Sequence, residues 1–221
     1  MRDAFVGAAA EHGIEVGFLL AGIWTVPVEP VEAAAQFAAE HADQGVVAFG
    51  LVGVEPQGGY ERWARACAIA REAGLLIVPH AGEFGRPANV AAAMDVLEAN
   101  RIAHGVRAVD DPVILARLAE RQIPCDVCPT SNDLLGAFPT LADVPVRALL
   151  DAGVPITLNT DDQLFFGRQL AEEYAAARQT FDLSDEELAA IARTSVRASG
   201  APADATARIE RDIDAWLATP N

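Results

Sequence analysis

Lysine is absent from this sequence of 221 residues, and its 16 basic side chains are therefore all arginines. Without lysine the chain cannot form a Schiff base, place a phosphate-loop lysine on a nucleotide or bridge two metals through a carbamylated lysine. Its 32 aspartates and glutamates bring the formal net charge to −16 at pH 7. A chain this acidic repels phosphate backbones and anionic membrane surfaces, so we expect neither nucleic acid nor a membrane as a partner.

Cysteines are few and apolar runs are short. Three cysteines are too few for a disulfide framework, which favours a reducing, cytoplasmic location. The longest apolar run, residues 16–24, has nine residues, whereas a membrane-spanning helix needs about 20. The Cys125-x-x-Cys128 pair lacks the second pair that a structural zinc site requires. We interpret both side chains as small buried groups, with Cys128 a candidate to face the interior of a barrel.

Apolar β-branched runs alternate with alanine-rich stretches along most of the chain, and 52% of the residues are hydrophobic. Strands are predicted at residues 16–23, 46–52, 75–79, 101–103, 123–127 and 154–158. Helices are predicted at residues 31–42, 60–73, 90–99, 112–121 and 146–152, and only helices after about residue 170. Repeated β-α units imply a parallel sheet, either open or closed into a barrel. We predict a single domain over residues 1–221.

Polar side chains follow several of these strands at the point where each strand ends. His80 and Glu83 follow the third strand, His104 the fourth, and Asp161 and Asp162 the sixth. Taken singly, each has an ordinary structural explanation as a helix cap, a hydrogen-bonded polar group or a solvated loop acid. Because the carboxyl ends of parallel strands meet at one edge, however, these residues should lie together. The sequence therefore predicts an acid–base or metal site at that edge.

Four segments of the chain resemble motifs of the adenosine deaminase family, in the same order and spacing. They are His-Ala-Gly-Glu at 80–83, Arg-Ile-Ala-His-Gly at 101–105, Val-Cys-Pro-Thr-Ser-Asn at 127–132 and Leu-Asn-Thr-Asp-Asp at 158–162. The resemblance extends over residues 46–199, about two thirds of the chain. It implies a TIM-type (β/α) barrel of the metal-dependent hydrolase kind, with extra C-terminal helices. Only six of the eight strands of such a barrel are visible, and the missing two belong at the N-terminus.

The resemblance also implies a chemical role for individual residues. His80 and Asp161 would be ligands of one Zn²⁺ ion, and His104 would orient and help to deprotonate the water bound to it. Glu83 would pass a proton to the purine ring nitrogen N1. The reaction implied is hydrolytic deamination of adenosine, or a related 6-aminopurine nucleoside, to inosine and ammonia.

Two further residues would contact the purine itself. Asp162 would hydrogen-bond to N7, and the backbone N–H of Gly53 would face the N3 side. The segments at 128–132 and 159–162 are more like those of the branch that acts on nucleosides than of the branch that acts on free adenine. Adenine and 5′-modified adenosines remain alternatives, because the ribose side of the pocket would be built partly from the two strands that are not visible.

The sequence departs from the family in its N-terminal part. It has no His-x-His, which in the family supplies two more zinc ligands, and His12 and His41 lie 29 residues apart. Gly50 and Val54 stand where the family has acidic residues. Three explanations are open: a fragment of a longer enzyme, a truncated non-catalytic paralogue that binds a nucleoside or assembles with another chain, or an active variant with ligands from elsewhere or from a partner chain. An unclosed barrel would expose strand edges, which a homo-oligomer could cover.

Overall fold

The computed structural model describes residues 2–219, with side chains from residue 3 onwards. Its strands are β1 (Phe18–Ile23), β2 (Val46–Val52), β3 (Leu76–Ala81), β4 (Ile102–His104), β5 (Cys125–Val127) and β6 (Ile156–Leu158). Its α-helices are α1 (Arg2–His12), α2 (Val28–Glu40), α3 (Ala64–Glu72), α4 (Pro87–Asp95), α5 (Pro112–Arg121), α6 (Pro129–Leu134), α7 (Val146–Asp151), α8 (Gln163–Phe166), α9 (Leu170–Phe181), α10 (Asp185–Arg197) and α11 (Ala203–Leu217). Short 3₁₀ turns occupy Ala42–Gln44, Tyr60–Trp63, Val106–Asp110 and Leu141–Asp143.

The six strands form one parallel sheet in the order β1-β2-β3-β4-β5-β6. Each strand therefore pairs with its neighbours in the chain, as expected for successive right-handed β-α units. Within residues 2–219 the two end strands, β1 and β6, are each paired on one side only. Because all the strands run the same way, their carboxyl ends lie at one edge of the sheet.

Helices pack on the sheet through small or branched side chains at helical spacing. Helix α2 buries Val31, Ala35 and Ala38, which lie on one face of the helix. Gly22 in β1 allows this helix to approach, because a Cβ at that position would overlap the Val31 side chain. Helix α5 starts at Pro112 after Asp111, whose carboxylate accepts a hydrogen bond from the N–H of Val113 at 2.9 Å.

The buried apolar residues form two clusters that share the sheet. The first lies around β1, β2, α2 and α3, and its centre is Trp24 in edge-to-face contact with Trp63, the ring centroids 4.7 Å apart. The second lies around β4, β5, β6 and the helices from α4 to α10, with Ile102 and Leu118 fully buried in it. Strand β3 lies between them, contributing Ile77 to the first cluster and Ala81 to the second.

The six predicted strands are all present, and β2 and α5 have the predicted bounds. The segment predicted as a helix over residues 60–73 starts instead with a 3₁₀ turn, Tyr60–Trp63. Strand β3 continues through His80 and Ala81 rather than ending at Pro79, because these two residues pair with Ala103 and His104 of β4. Helices α1, α6 and α8 were not predicted. Over the described residues no helix combines the length and the apolar character needed to cross a membrane.

Candidate active site

The carboxyl edge of the sheet brings His80, Glu83 and His104 together. His80 lies in β3 and His104 ends β4, and their ring centroids are 4.9 Å apart at an angle of 70°. Glu83 Oε2 lies 3.4 Å from His104 Nε2. Glu83 is 7% exposed and His104 is 2% exposed, so both groups are shielded from water. This part of the predicted cluster is present in the structure.

Asp161 reaches the same cavity from the end of β6. Its carboxylate Oδ2 accepts a hydrogen bond from the Ser131 hydroxyl at 2.7 Å. The side-chain amide of Asn132 lies 3.4 Å from Nδ1 of His104. Ser131 and Asn132 are fully buried at the start of α6. The sequence segment that contains them was recognised, but their role as supports for His104 and Asp161 was not predicted.

His104 and Asp161 share an unusual backbone conformation. Their φ angles are 67° and 55°, in the left-handed region that non-glycine residues rarely adopt. Such a conformation costs on the order of 1–3 kcal/mol and persists where the surrounding structure imposes it. Both residues line the cavity at the strand ends. Strain of this kind at two neighbouring polar residues is typical of a functional site.

Burial sets the charge state of the two central groups. Burial raises the pKa of the Glu83 carboxyl to about 7, and the charges of Asp161 and Glu55 add to the increase. Burial also lowers the pKa of the His104 imidazole well below its ordinary value, and the neighbouring His80 adds to that decrease. At neutral pH His104 is therefore uncharged, while Glu83 can both hold and release a proton.

Glu55, just beyond the end of β2, fixes the loop that carries Glu83. The buried Glu55 carboxylate accepts hydrogen bonds from the backbone N–H groups of Gly82, Glu83, Phe84 and Gly85 at 2.6, 2.8, 3.1 and 3.1 Å. A fifth comes from the Asn89 side chain at 2.9 Å. Burial alone would raise the pKa of Glu55, but these donors lower it below its ordinary value. Glu55 is therefore a buried anion, and sequence reasoning gave it no role.

Gly85 provides a direct test of this arrangement. A Cβ at Gly85 would overlap Asn89 Nδ2 and Glu55 Oε2, so we expect Gly85→Ala to lower the free energy of unfolding by about 2 kcal/mol. Urea unfolding measures it. Gly7→Ala is the matched control, because a Cβ there meets nothing within 4 Å and alanine is favoured inside helix α1 by about 0.5–1 kcal/mol. If the Gly85→Ala variant is as stable as the native chain, a Cβ at position 85 does not overlap its neighbours.

The cavity at the strand ends measures about 460 Å³ and is lined by polar groups, including Asn159 and Thr160. Two sets of three metal-binding atoms occur in it. One nitrogen or oxygen each from His80, Glu83 and His104 lie within 4.8 Å of one another, and so do donor atoms of His104, Cys128 and Asp161. Imidazole, carboxylate and thiolate are all zinc ligands, so the residues present fit a zinc ion.

The lining of this cavity does not include the other two predicted residues, Gly53 and Asp162. Gly53 follows β2 with a φ of 88° and is exposed. Asp162 is exposed and precedes α8, and its side chain makes no capping hydrogen bond. His41 lies apart from the site, where its Nδ1 is 2.8 Å from the Phe37 carbonyl oxygen. The three cysteines are free thiols.

The motifs and the geometry agree with a comparison of the whole chain. The family described as adenosine deaminase matches residues 1–216. The chain belongs to the adenosine deaminase family. A Streptomyces virginiae protein, provisionally named an adenosine/adenine deaminase, is 46% identical over 215 residues, which are 97% of this chain and 63% of that protein. The chain thus spans a little under two thirds of the length of this relative.

Solved structures of adenosine deaminase relatives have the same architecture. The adenine deaminase of Arthrobacter aurescens superposes with a TM-score of 0.90 at 29% identity, covering 98% of this chain and 66% of that one. An amidohydrolase from Burkholderia ambifaria with bound Zn superposes with a TM-score of 0.87 at 25% identity, covering 96% of this chain and 59% of that one. The predicted partial TIM-type barrel is therefore confirmed.

Proposed function

We propose that the strand-end cluster takes part in zinc-dependent hydrolytic deamination of a 6-aminopurine. The observation that carries the proposal is the Glu83–His104 contact: a buried carboxyl with a pKa near neutrality lies beside an uncharged imidazole. Hydrolytic deamination needs one group that gives and takes a proton and another that directs water, and this pair supplies both. Adenosine, giving inosine and ammonia, is the substrate we propose from the sequence.

His80 and Asp161 are the proposed zinc ligands. Zinc, when bound, lowers the pKa of water towards about 7 and so provides hydroxide at neutral pH. Ser131 supports this assignment, since its hydrogen bond to Asp161 fixes the orientation of the carboxylate. Burial lowers the pKa of His80, although Asp161 opposes that change. His80 therefore stays neutral, the form that binds metals.

Glu83 and His104 are the proposed proton-transfer pair. Protonated Glu83 would donate to the ring nitrogen N1, and the carboxylate left behind would take a proton from the attacking water. His104, held by Asn132, would orient that water towards C6. Glu55 keeps the Glu83 loop in place for both transfers. The amino group would leave as ammonia after C6 has gained the oxygen, with the proton that Glu83 took from the water. The C6 hydroxyl proton would then restore the Glu83 carboxyl.

Asp162 and Gly53 are the proposed contacts to the purine ring. Both are exposed and lie beyond the carboxyl ends of β2 and β6, at the edge of the sheet that carries His80 and His104. Asp162 would hydrogen-bond to N7, which in adenosine has a lone pair and no proton, and the Gly53 N–H would face N3. The relatives are named for adenine as well as adenosine, so free adenine is the alternative substrate, and both compounds belong in the assay.

The test is ammonia release by the zinc-loaded chain with adenosine and with adenine. We expect turnover with at least one of them, and we expect Glu83→Gln to reduce it by about 10²–10⁴-fold, because an amide cannot exchange the proton. Glu72→Gln, an exposed position at the end of α3, is the control and should leave the rate unchanged. If the chain neither releases ammonia nor binds a purine saturably, the proposal is refuted. A Glu83→Gln variant with the native rate would refute the role of Glu83.

A second candidate is a non-catalytic module that binds a purine nucleoside or assembles with another chain. It is favoured by the absence of a His-x-His sequence and by β1, which leaves Leu19 and Ile23 41% and 47% exposed. A second copy of the chain could cover that face. Saturable adenosine binding without ammonia release, in buffer with excess zinc, would favour this candidate over the enzyme.

A further inference from the structure

A chain of polar side chains links β4, β5 and β6 beside the cavity, and the proposed function does not use it. It begins at Arg101, just before β4, whose Nε lies 2.8 Å from Oδ2 of Asp126 in β5. The two side chains are only 17% and 15% exposed. Arginine stays protonated in proteins, so Asp126 is its buried counter-ion. Burial raises the pKa of Asp126, but the Arg101 charge and a hydrogen bond from Thr157 oppose that increase.

The ion pair fixes the direction of the hydrogen bonds that follow it. The hydroxyl of Thr157, in β6, donates to Oδ1 of Asp126 at 2.7 Å, since an ionised carboxylate can only accept. A hydroxyl has one proton, so Oγ1 of Thr157 is left to accept. It accepts from the side-chain Nδ2 of Asn159 at 2.6 Å. The charge of Asp126 therefore sets the orientation of the Asn159 amide, through Thr157.

Asn159 carries this fixed orientation into the cavity. It lines the cavity together with His104 and the two proposed zinc ligands. Its backbone N–H donates to the Val127 carbonyl oxygen at 3.0 Å, which holds the residue at the end of β6. Within residues 2–219 its Oδ1 has no hydrogen-bond partner. Because Nδ2 is engaged with Thr157, the free group of the amide is an acceptor, which suits an N–H of a ligand.

We propose that Asn159 is a specificity-determining residue that accepts a hydrogen bond from the amino group on C6 of the purine, and that Asp126 and Thr157 hold it in that orientation. The inference rests on the proposed function, which brings C6 to the water beside His104 in this cavity. The C6 amino group is the N–H donor nearest to that carbon. The product instead has a carbonyl oxygen on C6, an acceptor that would face the Asn159 oxygen. The site would thus favour substrate over product at the group that the reaction changes.

Equilibrium dialysis of adenosine and inosine against zinc-loaded chain carrying Glu83→Gln tests the inference, because that substitution slows turnover. With Asn159 and Thr157 in place we expect adenosine to bind about tenfold more tightly than inosine, the effect of one hydrogen bond gained rather than opposed. Thr157→Val removes the hydrogen bond to Asn159, so the amide can turn and donate to the inosine oxygen. The preference should then fall to about twofold or less.

Two further comparisons complete the experiment. Thr140→Val is the matched control, because Thr140 is exposed and does not line the cavity, and it should keep the tenfold preference. Adenine and hypoxanthine form the same pair among free bases and replace the nucleosides if the chain binds only bases. Asn159→Ser should also remove the preference, because a serine hydroxyl donates and accepts equally well.

Failure of this inference is distinguishable from failure of the proposed function. Equal affinity for adenosine and inosine, tighter binding of inosine, or a preference that survives in Asn159→Ser would overturn the role of Asn159 and leave the deaminase proposal intact. A preference lost in Asn159→Ser but kept in Thr157→Val would overturn the holding role of Asp126 and Thr157. No saturable binding of any purine would overturn both proposals. If Thr157→Val does not fold, Asn159→Ser decides the role of Asn159.

Discussion

Replacing Glu55 by glutamine is expected to lower the free energy of unfolding by about 3–5 kcal/mol. The carboxylate accepts five hydrogen bonds, four of them from consecutive backbone N–H groups. Glutamine has one accepting oxygen, and its amide nitrogen would face N–H donors that then have no acceptor. Each buried donor left unpaired costs about 1–3 kcal/mol. Urea unfolding would measure the loss.

Glu173→Gln is the matched control for this prediction. Glu173 is also a buried carboxylate, but over residues 2–219 its hydrogen bonds come only from the N–H and hydroxyl of Thr130, and Arg168 lies 3.7 Å away. We expect its replacement to cost less. In Glu55→Gln, hydrogen exchange should become faster at the amides of residues 82–85. An equal or smaller loss for Glu55→Gln than for Glu173→Gln would be evidence against the loop-holding role.

Glu83→Gln is expected to make the metal-free protein more stable than the native chain above pH 7. The folded-state pKa of Glu83 is about 7, above its ordinary value of 4.5. Between pH 4.5 and about pH 7 the folded chain binds more protons than the unfolded chain. The stability of the native chain therefore falls as the pH rises through this range. The difference between these two pKa values corresponds to at most about 3.4 kcal/mol. Glutamine cannot ionise and escapes this loss.

The measurement is urea unfolding at pH 4.5, 6 and 8 in the presence of a chelator. The stability difference between Glu83→Gln and the native chain should be smallest at pH 4.5, grow through pH 6 and level off above pH 7. Glu72→Gln, exposed on α3, should show no such growth. A difference that does not change with pH would mean that Glu83 titrates near its ordinary value in the folded chain, and its proposed proton-transfer role would lose its basis.

Local sequence patterns predicted most of the fold. Apolar β-branched runs mark the six strands, and the described elements after residue 170 are helices, as predicted. The convergence of His80, His104 and Asp161 also followed from the sequence, because parallel strands present their ends at one edge. Helix α8 was missed because it has four residues, too few for a helical repeat of apolar side chains to be visible. Helix α6 was missed because Leu134 is its one aliphatic side chain beyond the proline.

The supporting contacts could not be predicted from the sequence. Glu55 meets donors 27 to 34 residues further along the chain, and Ser131 meets Asp161 30 residues further along. Nothing in the local sequence marks either pairing, since both depend on how the loops turn after the strands end. Glu55 in particular has the sequence context of an ordinary loop acid, two residues after Gly53, and only the fold buries it.

The two apolar clusters support residues that have different functions at the candidate site. Glu55 comes from β2, in the half of the molecule that includes Trp24 and Trp63, while His104 and Asp161 come from the half built on β4 and β6. The first half therefore contributes the carboxylate that holds the Glu83 loop, and the second half contributes His104 and Asp161. Substitutions around α2 and α3 would then change the reactivity of Glu83 indirectly, by displacing Glu55. They would leave every side chain that meets the purine unchanged.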